Sequence, residues 1–266
     1  MRYGLSLASI RTFADPRQIV RAAQVAEEAG WEAFFVWDHL RWAATGESSA
    51  DPWVALGACA KATSRIQLGT AVTPLPRRRP QMVAQQLASL SLLSGGRVIF
   101  GAGIGGKPDE FTRFGDPGDD RLRAAMLDEG LELVDALLSG ARVEHRGEHY
   151  LADGVTLAPV PVRPVPFWIG GNSRPALRRA ERWGGWLADG SDPERNVLSP
   201  ADVAAKLEPV RVDEVAFIGF AGQADLASYA AAGVTWWIEN VSDDRGGVDG
   251  VLELLAGGPP GETLLT

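Results

Sequence analysis

The amino-acid sequence predicts an α/β protein that folds as one (β/α)8 barrel, also called a TIM barrel. Short apolar and aromatic runs alternate with alanine- and leucine-rich stretches along the chain, and eight such pairs can be counted. The length of 266 residues suits a one-domain barrel. The first predicted strand runs into Leu7-Ala8-Ser9-Ile10, which lacks the glycine-rich turn of a doubly wound nucleotide-binding sheet. We therefore expect a single domain over residues 1–266.

The individual elements follow from short strand-like runs and from the residues that begin and end helices. Asp15, for example, is placed to cap the first helix and Gly30 to end it. The predicted strands cover residues 3–8, 33–37, 66–72, 98–102, 167–170, 185–188, 215–220 and 235–239. The predicted helices cover residues 16–29, 51–62, 80–93, 122–138, 174–183, 201–207, 223–232 and 248–256.

Two segments interrupt this alternation and are predicted to be insertions. Residues 105–120 follow the fourth strand and are polar, so we expect them on the catalytic face as a lid. Residues 141–164 precede the fifth strand and end in a proline-rich run. They predict a small hairpin and a stiff connection.

Composition narrows the function classes. The chain is 45% hydrophobic and 23% charged, and it has no apolar run long enough to cross a membrane. A net charge of −8 argues against nucleic acid as a partner, and a single cysteine excludes a disulfide framework. The sequence thus predicts a cytoplasmic protein that acts on a small molecule.

A candidate phosphate site lies where the fifth strand meets its helix. Gly170 and Gly171 permit close approach of a ligand to the backbone, and Asn172 or Ser173 can cap the helix that follows. The amides of the first helical turn and the helix dipole favour an anion there. An ordinary strand-to-helix turn is the alternative.

A candidate catalytic pair follows the second strand. Asp38 and His39 come directly after an apolar run, on the face where barrel enzymes place their chemistry. Imidazole titrates near neutral pH, so His39 is a candidate acid, base or substrate-orienting group. The alternative is a capping Asp beside a structural His.

Two further strand ends indicate contact with a flat ring. Thr70, Ala71 and Val72 end the third strand, where Gly69 and Pro74 indicate a departure from regular geometry. The fourth strand runs into Gly101-Ala102-Gly103-Ile104-Gly105-Gly106, which has the G-x-G-x-x-G spacing. Because no helix is predicted to start there, we interpret Gly103 and Gly105 as clearing room for a ring at the barrel mouth.

Two other patterns have a simpler interpretation. His145-Arg146-Gly147-Glu148-His149 has the H-x-x-E-H order of a zinc peptidase, but its glycine favours a hairpin over the required helix. We therefore assign no metal ligands. The run Arg77-Arg78-Arg79 is interpreted as a solvated positive cluster, with contact to a phosphate as the alternative.

The ordered set of motifs resembles the bacterial luciferase-like monooxygenase family, whose members use flavin or the deazaflavin F420. The matching stretches are AEEAGW (26–31), VWDHL (36–40), RIQLGTAV (65–72), LSGGRVIFGAGIG (93–105) and GGNS (170–173). Each stretch is moderately specific, and together they span most of the first 189 residues.

The resemblance implies a ring cofactor across the barrel mouth. It implies a non-proline cis peptide at Ala71–Val72 behind the ring, with Gly103 and Gly105 lining it. Gly171, Asn172 and Ser173 would hold the phosphate, while Asp38 and His39 would contact cofactor and substrate. Family members that oxidise sugar phosphates carry a glutamate where this chain has Gly106, which argues against that substrate.

The functional expectation is an FMN-dependent monooxygenase that acts on a small organic substrate. The alternatives are an F420-dependent oxidoreductase, a flavin-binding barrel without catalysis, and a metal-dependent hydrolase. Expected partners are the substrate, a flavin reductase and a second copy of the chain as a homodimer.

Overall fold

The computed structural model describes residues 1–42, 48–190 and 198–260. The strands in this part of the chain are β1 (Arg2–Leu7), β2 (Ala33–Val36), β3 (Gln67–Thr70), β4 (Thr73–Pro74), β5 (Val98–Gly103), β6 (Val143–Arg146), β7 (Leu151–Val155), β8 (Phe167–Gly170), β9 (Gly184–Asp189), β10 (Glu214–Gly219) and β11 (Trp236–Val241). The helices are α1 (Pro16–Glu28), α2 (Pro52–Ala62), α3 (Pro80–Ser94), α4 (Asp109–Thr112), α5 (Asp120–Leu138), α6 (Arg174–Trp183), α7 (Pro200–Leu207), α8 (Leu226–Ala231) and α9 (Gly247–Ala256).

The main sheet closes on itself as a parallel barrel, which confirms the predicted fold. Its strand order is β3-β2-β1-β11-β10-β9-β8-β5, and β3 pairs with β5 through Leu68 opposite Val98 and Gly69 opposite Ile99. Among the described residues, eight parallel strands thus form a closed ring, with the two-residue β4 added beside the end of β5. Parallel strands place all their carboxyl ends at one mouth.

The barrel interior is filled by large side chains rather than left open. Phe35, Trp168 and Trp236 pack in series, with successive ring centroids 5.5 Å apart. Leu187 and Ile238 complete this buried layer. The larger hydrophobic core lies between the barrel and the surrounding helices. Because the interior is filled, a ligand can bind at the open mouth, where the strands end, rather than inside the barrel.

The predicted elements are found in order, and most of their boundaries shift by only one or two residues. Two differences change the interpretation. The third strand ends at Thr70 rather than Val72, and the chain resumes pairing with β5 only at Thr73. The predicted start of the seventh helix at residue 223 is three residues too early, because Asp225 caps α8 at the amides of Ala227 and Ser228. No helix in the described part of the chain is both long and apolar enough to span a membrane.

The two insertions take different forms. Residues 105–120 contain the short α4, whose Phe111 is fully buried and packs under the guanidinium of Arg123 at 4.4 Å. Residues 141–164 contain the predicted hairpin, in which β6 and β7 pair antiparallel. Glu129 of α5 holds that hairpin by accepting hydrogen bonds from His145 Nε2 at 2.9 Å and from the Tyr150 amide at 2.7 Å.

The closing seam of the barrel yields a stability prediction. A Cβ on Gly101 of β5 would lie 1.9 Å from the carbonyl oxygen of Thr70, whose hydroxyl also donates to the Gly101 carbonyl at 2.9 Å. We expect Gly101→Ala to lower the free energy of unfolding by about 3 kcal/mol, because backbone must move apart at the seam. Urea unfolding measures this.

Gly106→Ala is the matched control, because a Cβ there meets nothing within 4 Å. Equal stability of the two variants would contradict the described closeness of β3 and β5.

Candidate active site

Asp38, one of the two predicted catalytic residues, is buried directly after β2. Its side chain is 1% exposed and is held by two arginines. Arg78 donates from Nε to Oδ2 and from Nη2 to Oδ1, both at 2.8 Å, and Arg77 Nη2 donates to Oδ1 at 3.0 Å. Both carboxylate oxygens are therefore occupied, which places Asp38 as an anchor for this loop.

The predicted solvated character of residues 77–79 is wrong for two of the three arginines. The side chains of Arg77 and Arg78 are 4% and 18% exposed, whereas Arg79 lies on the surface. The sequence shows a run of cations but not the buried carboxylates that compensate them. Buried charges require such partners.

A second buried carboxylate, Glu110 of α4, connects the loops at the mouth. Its Oε2 lies 3.0 Å from His39 Nδ1 and accepts from Arg77 Nη1 at 2.9 Å. Its Oε1 accepts from the amides of Leu40 and Arg41, each at 2.9 Å. Glu110 thereby joins the segments that follow β2, β4 and β5.

The environment of Glu110 keeps it ionised. Burial alone would raise its pKa, but the hydrogen bonds from His39 and the Arg41 amide and the charge of Arg77 lower the pKa to about 2. An ionised Glu110 accepts a hydrogen bond from His39 Nδ1–H. In neutral imidazole the lone pair then lies on Nε2, which has no partner among the described residues.

Two adjoining cavities open at the barrel mouth. The larger, of about 500 Å³, is lined by Gly103, Gly170, Gly171 and Arg123 among others. The smaller, of about 290 Å³, is lined by Trp37, Asp38, His39, Trp42 and Lys107 among others. Both share one set of lining residues: Ala71, Val72, Gly105, Gly106, Asp189 and Ile218.

The floor between the cavities is the Val72 side chain. The peptide bond between Ala71 and Val72 is cis, as the family resemblance implies. A Cβ on Gly103 would lie 2.9 Å from Val72 Cγ2, and one on Gly170 would lie 2.6 Å from Val72 Cγ1. These glycines therefore make room for Val72 itself.

Gly105 also serves packing within the protein rather than open space. Its φ is +84°, and a Cβ there would lie 2.8 Å from the Phe111 ring and 3.1 Å from Pro74. The expectation that these glycines clear room for a ring is refined accordingly: Gly103, Gly105 and Gly170 line the larger cavity, and their lack of side chains lets Val72 and Phe111 pack.

The predicted phosphate site lies at the other end of the larger cavity. Ser173 caps α6 by accepting from the Ala176 amide at 3.3 Å, and Gly171 has a φ of +113°. Asn172 donates to the carbonyl of Asp189 at 3.0 Å. Because Pro175 has no N–H and the Ala176 amide is used by the cap, an anion would meet the amides of Ser173 and Arg174.

The structure thus brings the predicted site residues to one mouth of the barrel, where they form two groups. Ala71 and Val72 line both cavities, with Asp38 and His39 in the smaller cavity and Gly170 and Gly171 in the larger one. Thr70 itself is fully buried. His145 and His149 belong to the hairpin instead, and the described residues contain no group of three metal-binding side chains.

Sequence reasoning missed Glu110 and Lys107. Both lie in the insertion after the fourth strand, which shows only a general excess of polar residues. One feature of the sequence could have indicated Glu110: this carboxylate follows the end of β5, at the same mouth of the barrel as His39. Only the position of α4 shows that this carboxylate reaches the imidazole.

Comparison with known proteins decides the family. The sequence profile of luciferase-like monooxygenases matches residues 3–219, a stretch that contains every predicted site residue. The chain belongs to the luciferase-like monooxygenase family. This confirms the resemblance inferred from the motifs.

Similar proteins of the family differ in cofactor and substrate. An F420-dependent glucose-6-phosphate dehydrogenase of Beutenbergia cavernae is 40% identical over 182 residues, which cover 66% of this chain and 53% of that protein. The chain thus spans about half the length of this curated relative.

Two solved structures share the fold at 18% identity. An F420-dependent secondary alcohol dehydrogenase in complex with an F420-acetone adduct has a TM-score of 0.81 and covers 97% of this chain and 98% of its own. The oxygenating constituent of 3,6-diketocamphane monooxygenase from Pseudomonas putida, in complex with FMN, has a TM-score of 0.65 and covers 83% and 67%.

The Glu110 network yields a pH-dependent stability prediction. Glu110→Gln leaves the buried Arg77 without one of its two carboxylates, so we expect the free energy of unfolding at neutral pH to fall by about 3 kcal/mol. Because the pKa of Glu110 is lowered by folding, its contribution is present above the ordinary glutamate pKa. That contribution disappears as the pH falls toward about 2.

Denaturant unfolding at several pH values measures the difference between wild type and Glu110→Gln. Asp109→Asn is the control, since Asp109 is half-exposed on the same helix and pairs with Arg41 at 3.3 Å. A pH-independent difference, or an equal effect of the control, would contradict the assignment.

Proposed function

We propose that this protein is an F420-dependent oxidoreductase that moves hydride between the deazaflavin and a small organic alcohol or carbonyl compound. The observation that carries the proposal is the buried Glu110 carboxylate that orients His39 at the mouth. The 40% identity to an F420-dependent dehydrogenase supports the choice of cofactor. FMN, the first choice from sequence, becomes the alternative, supported by the distant FMN-containing neighbour.

The mouth has the shape that a ring cofactor with an anionic tail needs. The larger cavity lies within the size range of small-molecule sites and has a mostly apolar floor. Val72 would support the ring, and the amides of Ser173 and Arg174 would receive a phosphate at the start of α6. When bound, F420 accepts or supplies hydride at carbon 5 of its ring system and bypasses oxygen.

His39 would handle the proton that accompanies hydride transfer. Oxidation of an alcohol releases one hydride and one proton, and the Nε2 lone pair is the basic atom that His39 presents at the smaller cavity. Glu110 fixes the ring orientation and selects the tautomer in which Nδ1 carries the hydrogen. Asp38 has an indirect, positioning role, because its contacts to Arg77 and Arg78 hold the loop that carries His39.

Direct titration tests the cofactor assignment. We expect the purified protein to perturb the visible absorbance of F420 saturably and to bind FMN more weakly. The F420-loaded protein mixed with a panel of secondary alcohols should then lose the absorbance of oxidised F420. The variant His39→Ala should bind F420 but bleach it far more slowly.

Saturable FMN binding without F420 binding would favour the monooxygenase alternative. Cofactor binding with no bleaching by wild type and His39→Ala alike would favour a barrel without catalysis.

The phosphate site has a sharper test in the capping residue of α6. Aspartate and asparagine both cap helices well, so Ser173→Asp and Ser173→Asn preserve the cap, while only the first adds negative charge. We expect Ser173→Asp to weaken F420 binding at least tenfold, ~1.4 kcal/mol, through repulsion of the phosphate.

Ser173→Asn is the matched control and should bind within a few-fold of wild type. Equal affinities for the two variants would mean that the anionic tail binds elsewhere.

A further inference from the structure

Lys107 places a cation at the smaller cavity and forms no ion pair with any carboxylate in the described part of the chain. The side chain is half-buried, and its Nζ lies 4.3 Å from the centroid of the Trp42 ring. Within the described part of the chain this ring is the contact made by the ammonium group. A cation over an indole face retains most of its capacity to bind an anion, because the ring carries no net charge.

The neighbouring charges on this side of the mouth are already compensated. Asp109 pairs with Arg41 at 3.3 Å and with Arg113 at 3.7 Å. Asp38 and Glu110 are held by buried arginines, as described above. Asp189 also lines the smaller cavity, at the end of β9, and would repel an anion placed near it. We therefore expect an anionic group in this cavity to bind next to Lys107, away from Asp189.

Lys107 and His39 lie within reach of one small molecule. The Trp42 ring centroid is 5.0 Å from the His39 ring and 4.3 Å from Lys107 Nζ, so both polar groups contact the same indole. Trp37 lies 5.0 Å from Trp42 and extends the same aromatic wall. Because His39 and Lys107 line one cavity, a short organic molecule packed on this wall can place one end at each group.

Asn240 adds a polar contact in the same cavity. Its Oδ1 is buried and has no hydrogen-bond partner among the residues that the structure describes, although the residue lines the cavity with His39. A buried acceptor without a donor is costly, so a donor from a bound molecule would stabilise the site. A hydroxyl group on the substrate would supply it.

We propose that the substrate is a short hydroxylated organic anion, a carboxylate or a phosphate monoester, whose charge binds Lys107 and whose reacting carbon lies at His39. This inference rests on the proposed F420-dependent function for the identity of the reaction. It adds the substrate class and assigns Lys107 as the residue that determines specificity. A lysine ammonium serves either anion, because it acts as a compact point charge.

Calorimetric titration with three small probes tests the proposal, with and without F420. The probes are 3-hydroxybutyrate, 2-hydroxypropyl phosphate and the neutral 3-hydroxybutanamide. We expect the wild type to bind at least one anion about tenfold more tightly than the amide, as a charge-assisted hydrogen bond predicts. The anion that binds more tightly shows whether the substrate carries a carboxylate or a phosphate.

Three variants locate the effect. Lys107→Met keeps the length of the side chain and should abolish the preference for anions, while Lys107→Arg should restore most of it. Lys61→Met, on the exposed end of α2, should leave the preference unchanged. Equal binding of anions and amide by wild type, or a preference that persists in Lys107→Met, overturns the proposal.

Measuring F420 binding and anion preference separately distinguishes failure of this inference from failure of the proposed function. A preference for anions that depends on Lys107 in a protein that fails to bind F420 would support the anion site and reject the F420 assignment. F420 binding together with equal affinity for anion and amide would support the F420 assignment and reject the anion site.

Discussion

The buried carboxylate of Glu110 is the contact on which the arrangement of the mouth depends. It accepts hydrogen bonds from the loop after β2, from the arginine after β4 and from His39, all within 3.0 Å. Such a group is stable out of water only when its charge is fully compensated. Loss of one partner would therefore disturb the segments after β2, β4 and β5 at once.

The network around Glu110 pairs two buried carboxylates with two guanidinium groups. Asp38 and Glu110 supply two carboxylates, and Arg77 and Arg78 supply two guanidinium groups. His39 adds a hydrogen bond to this set through Nδ1 and faces the cavity with the rest of its ring. The same contacts that hold the loop therefore also fix the orientation of the imidazole.

The mouth divides into regions with different chemistry. Val72 interlocks with Gly103 and Gly170 to make a smooth apolar floor. The start of α6 offers backbone amides at one end, and the aromatic wall with Lys107 lies at the other. Because the whole chain carries a net charge of −8, attraction of an anion has to come from such local groups.

Local sequence was enough for the element order, the barrel, the hairpin and the positions of Asp38, His39 and residues 170–173 at strand ends. These features depend on hydrophobic periodicity and on capping residues, which act over a few positions. The chemical role of each residue depended on tertiary structure. His39 meets Glu110 across 71 positions, and the buried state of Arg77 follows from carboxylates on two other loops. Only closure of the barrel brings those loops together, because long-range charge pairing leaves no periodic trace in the sequence.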